Sequence, residues 1–173
     1  QFIDLNAEGE MDLFVANGHL YDQPMVPQLF LKQSASRFHD ISNRAGSFFK
    51  AEGFGRSVAS VDWNRDLAAD LAVGFLKSPV ALLENTSRMG NRLAIRLIGV
   101  NSNRDAMGAF LTATVGESTY HFRVGGDGGF FASNEKDVII GIGLHKQLDT
   151  LEVSWPTGQT QTWNRLPIGK TYI

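Results

Sequence analysis

Asp62-Trp63-Asn64-Arg65-Asp66-Leu67-Ala68-Ala69-Asp70-Leu71 repeats Asp4-Leu5-Asn6-Ala7-Glu8-Gly9-Glu10-Met11-Asp12-Leu13 at an offset of 58 residues. Downstream, Pro79-Val80-Ala81-Leu82-Leu83 aligns with Pro27-Gln28-Leu29-Phe30-Leu31 at an offset of 52. The difference falls in Asn17 to Met25, an insertion at a loop tip. Self-similarity at this period, one short sheet per unit, is the mark of a propeller or solenoid blade. Two units cannot close a ring. The first unit begins at its loop and is expected to lack the strand that should feed it.

Outward from the repeats, short apolar runs alternate with turn chemistry. Leu93/Ile95/Leu97, Tyr120/Phe122/Val124 and Leu151/Val153/Trp155 each put three apolar side chains on one face of a pleat. Asn17-Gly18, Gly90-Asn91 and Pro156-Thr157-Gly158 punctuate the runs. No window shows helical periodicity with a cap, so the expected class is all-β. The repeat fades after about Ser87, and Thr86 to Asn91 is small and polar. This predicts residues 1–87 as incomplete propeller-type repeats, and residues 88–173 as a small β-sandwich or barrel.

Composition removes several functions. The 173 residues are 43% hydrophobic with 12 Phe, enough for real cores. Sixteen basic against eighteen acidic residues leave no electrostatic case for nucleic acid. No run of eighteen apolar residues would cross a bilayer as a helix. With no cysteine there are no disulfides, thiolate metal sites or cysteine nucleophiles. Opening on Gln1 without a basic-then-apolar leader reads as an excised or processed piece.

Chemistry concentrates in the repeated loops. Asp4, Asn6, Glu8 and Asp12 offer side-chain oxygens at positions one, three, five and nine, with Gly9 at six and the Glu10 carbonyl at seven. Alternate residues of a tight loop point to a common centre, and a hard cation of calcium's size takes six to eight such oxygens. The second loop offers Asp62, Asn64, Asp66, the Ala68 carbonyl and Asp70. Its sixth position is Leu67, where a left-handed backbone costs roughly 1–2 kcal/mol. That loop is therefore a second candidate cation site, expected to be bent differently or empty if the leucine resists the turn, with calcium at one or both loops.

These loops, with Gly53-Phe54-Gly55-Arg56-Ser57-Val58-Ala59 before the second, resemble FG-GAP (VCBS-type) β-propeller repeats. That likeness implies calcium held between two strands of a blade, and a secreted, periplasmic or cell-surface setting. The second half resembles the ASPIC/UnbV domain of the cartilage acidic protein-like family. The carrying segments are Asn101 to Ala109, Arg123 to Phe130, Gly141-Ile142-Gly143-Leu144 and Leu151 to Gly158, with Asn17-Gly18-His19 also similar. The family's activity is poorly defined, so the likeness supplies no substrate.

Other features read as structure. Gly125 to Gly129 lacks the following helix and lysine of a phosphate cradle. His19, His39, His121 and His145 have no zinc spacing, and no serine sits in a nucleophile elbow. Arg104-Asp105 reads as a loop-fixing pair. Tyr21, Phe48, Phe49 and Trp63 are expected to pack between blades rather than form a binding platform. The functional expectation is a non-enzymatic binding or adhesion module for a protein or glycan, with part of a polysaccharide-active enzyme as the alternative. The cut propeller edge is expected to leave Leu13, Phe14, Leu29 and Phe30 short of partners. From this follows self-association, or packing on the second half.

Overall fold

A computed structural model describes residues 1–20, 22–87, 90–125 and 128–173. Its described residues are all-β, with two short 3-10 turns, Ser42–Arg44 and Ser47–Lys50. Strands β1 (Phe2–Ile3), β2 (Asp12–Val15), β3 (Gln28–Ser34) and β4 (Arg37–Asp40) form an antiparallel sheet in chain order. Strands β5 (Gly55–Val61), β6 (Asp70–Phe75) and β7 (Ala81–Leu83) form a second. The first unit therefore does have a feeding strand. Phe2 faces Leu13 and Ile3 faces Asp12, a strand too short to show a period.

Register corrects the alignment of the units. Leu13 faces Phe30, and its equivalent Leu71 faces Leu83, so the offset beyond the insertion is 53 rather than the 52 that the prolines suggest. The slip matters because one residue moves every side chain to the other face.

The two sheets pack face to face around Ile3, Phe14, Leu29, Phe49, Val58, Leu71 and Val73. Phe14 is fully buried, edge-on to Phe49 at 5.8 Å between centroids, and Phe48 also packs beside it. Phe14 and Leu29 are thus not short of partners, because the turn Ser47–Lys50 and the second sheet close over them. Leu13 and Phe30, on the opposite face, are half-buried. Burial of a ring such as Phe14 contributes roughly 2–3 kcal/mol.

In the second half come β8 (Arg92–Ile95), β9 (Phe110–Val115), β10 (Ser118–Arg123), β11 (Val138–Gly141), β12 (Gln147–Ser154), β13 (Thr160–Pro167) and β14 (Thr171–Tyr172). One sheet runs β10-β9-β12-β13 and the other β11-β8-β14, with β14 parallel to β8. Leu93, Ile95 and Ile140 of one sheet share a core with Leu111, Ala113, Val115, Leu151 and Val153 of the other. The expected alternations bury Leu93 and Ile95 in β8 and Leu151 and Val153 in β12. Leu97 and Trp155, past the strand ends, and Tyr120 and Phe122 of β10 are half-buried, and Ala94 is buried off the period. β12 ends before Trp155-Pro156, and Gly158, at φ 85°, turns the chain into β13.

The halves meet along β5. Its edge away from β6 is covered by the segment 129–135, which replaces a neighbouring strand. The Gly129 N–H donates to the Val58 carbonyl (3.0 Å) and the Glu135 N–H to the Ser60 carbonyl (2.9 Å). The Ser60 N–H donates to Asn134 Oδ1 (2.9 Å). An edge that would template association is closed from within the chain.

Candidate functional site

Each acidic loop joins the first two strands of its unit, β1 to β2 and β5 to β6, and the two share one hydrogen-bond skeleton. In the first, Asp4 Oδ1 accepts from the Glu8 N–H (3.2 Å), and Asp4 Oδ2 from the Gly9 N–H (2.8 Å). In the second, Asp62 Oδ1 accepts from the Asp66 N–H and Asp62 Oδ2 from the Leu67 N–H, both at 3.0 Å. Asn6 and Asn64 accept from the same two donors, Glu8 N–H and Asp66 N–H, at 3.3 and 3.1 Å. At position nine, Asp12 bridges the Leu5 and Lys32 N–H groups, as Asp70 bridges those of Trp63 and Asn85. Ala7 and Arg65 at position four have φ 57° and 61°, and Gly9 and Leu67 at position six have φ 82° and 67°. The second loop is therefore bent as the first is, and Leu67 takes the left-handed conformation. The carboxylate of Asp62, which accepts the Asp66 and Leu67 N–H groups, ties the loop in this conformation.

Since Leu67 tolerates this backbone, conformation alone does not explain Gly9. A Cβ at Gly9 would lie 2.5 Å from the Tyr120 ring, so the second half, packed on the loop, demands glycine there. The same closeness marks Gly141, where a Cβ would lie 2.2 Å from Asp4 Oδ2.

Asn6, Asp12, Asp62 and Asp70 are buried. Burial pushes the Asp4 carboxyl up to about 6, against the lowering effect of the Gly9 and Glu8 N–H groups. Burial likewise raises Asp12 and Asp70, opposed by the Lys32 and Leu5 N–H groups in one and the Asn85 and Trp63 N–H groups in the other. The Glu8 side chain is exposed, and the Glu10 carboxylate pairs with Lys32 Nζ, leaving its carbonyl as the oxygen at position seven. Asp66 accepts from the Ala68 N–H at 2.8 Å. Among the described residues no three histidine or acidic side chains converge as a ready-made cation cage. The donor set is nonetheless all oxygen, mixing carboxylate, amide and carbonyl, and it fits a hard cation rather than a soft one.

Several supporting residues lay outside what the repeat revealed. Asn85 ties the loops together, its Nδ2 donating to the carbonyls of Leu5 (2.8 Å) and Ala69 (3.2 Å). Glu135 accepts the Asp62 N–H (2.8 Å) and pairs with Arg65, which also approaches Asp137 at 3.8 Å. Gly143 N–H donates to the Ala7 carbonyl at 2.8 Å. Position four of each loop is thus gripped by the second half. Asp4 and Asp62 line one open cleft of about 280 Å³ at the seam, with His121, Arg123 and Glu135.

Residues 99–173 match the family model described as ASPIC and UnbV. All four segments that carry the resemblance in the second half lie in that range. β8 precedes it, although Leu93 and Ile95 belong to the same core. No curated protein gives a significant match to the chain.

The other candidates resolve as structure. Phe48 and Phe49 pack between the two sheets of the first half, while Trp63 is exposed. Asp105 pairs with Lys136, not with Arg104. Tyr21, Arg88 and Met89 in the expected junction, and Gly126-Asp127 in the glycine-rich turn, lie outside the described residues.

Proposed function

We propose that the chain is a non-enzymatic binding or adhesion module of an extracellular, periplasmic or cell-surface protein, in which FG-GAP-type propeller blades carry a sandwich-like ASPIC/UnbV domain. Calcium holds the repeated loops. The observation that carries the reading is the duplicated skeleton, in which the same acidic and amide positions of each loop accept five backbone N–H bonds, four from the loop and one from the strand end at Lys32 or Asn85. Asp4, Asn6, Glu8, Asp12 and the Glu10 carbonyl would hold one ion. Asp62, Asn64, Asp66, Asp70 and the Ala68 carbonyl would hold the other. The ion's role is structural, relieving buried carboxylates and fixing the loops on which the second half rests. The open, mixed-charge cleft at the seam suits a polar ligand, protein or glycan.

Calcium at a hundredfold excess over its dissociation constant should stabilise the fold by about 2.7 kcal/mol per site. The test is thermal melting and titration calorimetry in calcium, in magnesium and in chelator. Calcium should raise the midpoint, magnesium much less, and Asp66→Ala should weaken the response. Equal melting in calcium and chelator would overturn the reading.

A further inference from the structure

The two units differ in one respect that the duplicated loops do not share. In the first, β3 is flanked by β4. In the second, the equivalent strand β7 is the last of its sheet. With the corrected register, Leu29 corresponds to Leu82. The Leu29 N–H donates to Ser42 Oγ and its carbonyl accepts the Ile41 N–H, both at 2.9 Å and both on the β4 side. Asn85 N–H points back to Asp70, as Lys32 N–H does to Asp12. Alternation along an antiparallel strand therefore turns the Leu82 N–H and carbonyl outward. Among the described residues neither has a partner, and Leu82 and Val80 are 58% and 66% exposed.

We propose that two copies of this chain join through β7, antiparallel about a two-fold axis at Leu82, to make a continuous six-stranded sheet. The argument for a second copy is self-complementarity. The free donor and the free acceptor sit on one residue, so a two-fold axis lets Leu82 exchange both bonds with Leu82 of the other copy. Val80 then faces Glu84 of the other copy, and no like charges meet. The first unit shows that such a strand accepts a fourth neighbour. Pro79 limits the pairing to about five residues, since it has no N–H to give. The interface is consequently small, at the weak end of the size range, below about 1,200 Å² in total. This inference does not depend on the calcium reading.

The protein has no cysteine, so one substitution reports the contact. Residues that exchange both bonds across antiparallel strands have Cα atoms about 5.5 Å apart, within the range of a disulfide. Oxidised Leu82→Cys should cross-link at least tenfold faster than Val100→Cys, a control that is more accessible, at 90% exposure against 58%. Sedimentation of the unaltered chain should show reversible dimer at concentrations on the order of 100 µM. Leu82→Lys should cut the dimer fraction at least tenfold without lowering the melting midpoint. Monomer throughout, cross-linking no faster than in the control, or a dimer untouched by Leu82→Lys would each overturn the proposal. Should Leu82→Lys not fold, the cross-linking comparison decides alone.

Discussion

Gly9 and Leu67 occupy the same place in their loops, yet only one of them is replaceable. Leu67→Gly removes a left-handed leucine and some half-buried apolar surface, so its net effect should stay within about 1 kcal/mol. Gly9→Ala should cost about 1–3 kcal/mol, because the added carbon meets the Tyr120 ring. A double-mutant cycle in chemical denaturation checks this, since Tyr120→Ala should recover most of the loss. Additive effects would place the cost of Gly9→Ala elsewhere. Asp4 gives a second prediction at this scale, for protein free of divalent cations. Its carboxyl titrates near 6 in the fold, above the ordinary 3.8. A raised acid stabilises the fold while protonated, a contribution present in full below about 3.8 and lost as pH rises through 6. The loss by pH 7.5 is on the order of 3 kcal/mol. Metal-free protein should therefore melt higher at pH 5 than at pH 7.5, and Asp4→Asn should flatten that slope.

At the scale of elements, strands were legible where burial left a period. β2, β6, β8, β9 and β12 each show apolar residues on an inward face. β4 and β13 do not, for they are edge strands almost wholly in solvent, and nothing in Arg37-Phe38-His39-Asp40 needs to alternate. β1 is too short to carry a pattern. The acidic loops were readable because their oxygens repeat in sequence. Their supports, Glu135, Gly143 and Tyr120, were not, because those residues lie far along the chain and meet the loops only in the fold. Glu135 deserves the sharpest test among them. Glu135→Ala strips the Asp62 N–H of its acceptor and Arg65 of its carboxylate, which should cost about 1–3 kcal/mol. Amide exchange should quicken at Ser60 and Asp62 while β9 and β12 stay protected. Unchanged exchange at Asp62 would show that the Glu135 side chain does not hold the loop at the end of β5.

At the scale of the molecule, the halves depend on one another unequally. Every member of the second core lies between Leu93 and Tyr172, and every member of the first between Ile3 and Leu83. Among the described residues, the second core includes no side chain of the first half. The first half, by contrast, has one edge of β5 closed by the segment 129–135, position four of both loops gripped from outside, and Asp4 covered by Gly141. Separation should therefore be asymmetric. Residues 91–173 expressed alone should keep their strand circular dichroism and slow exchange in β8, β9 and β12. Residues 1–87 alone should melt lower than in the whole chain and associate through the uncovered β5 edge, since an open strand edge is a template for pairing. Adding the second half in trans should recover part of the lost midpoint, because the bonds from Gly129, Asn134 and Glu135 need no covalent link. If residues 91–173 are unfolded by both measurements, the division at the junction is wrong and the two sets of sheets fold only as one body.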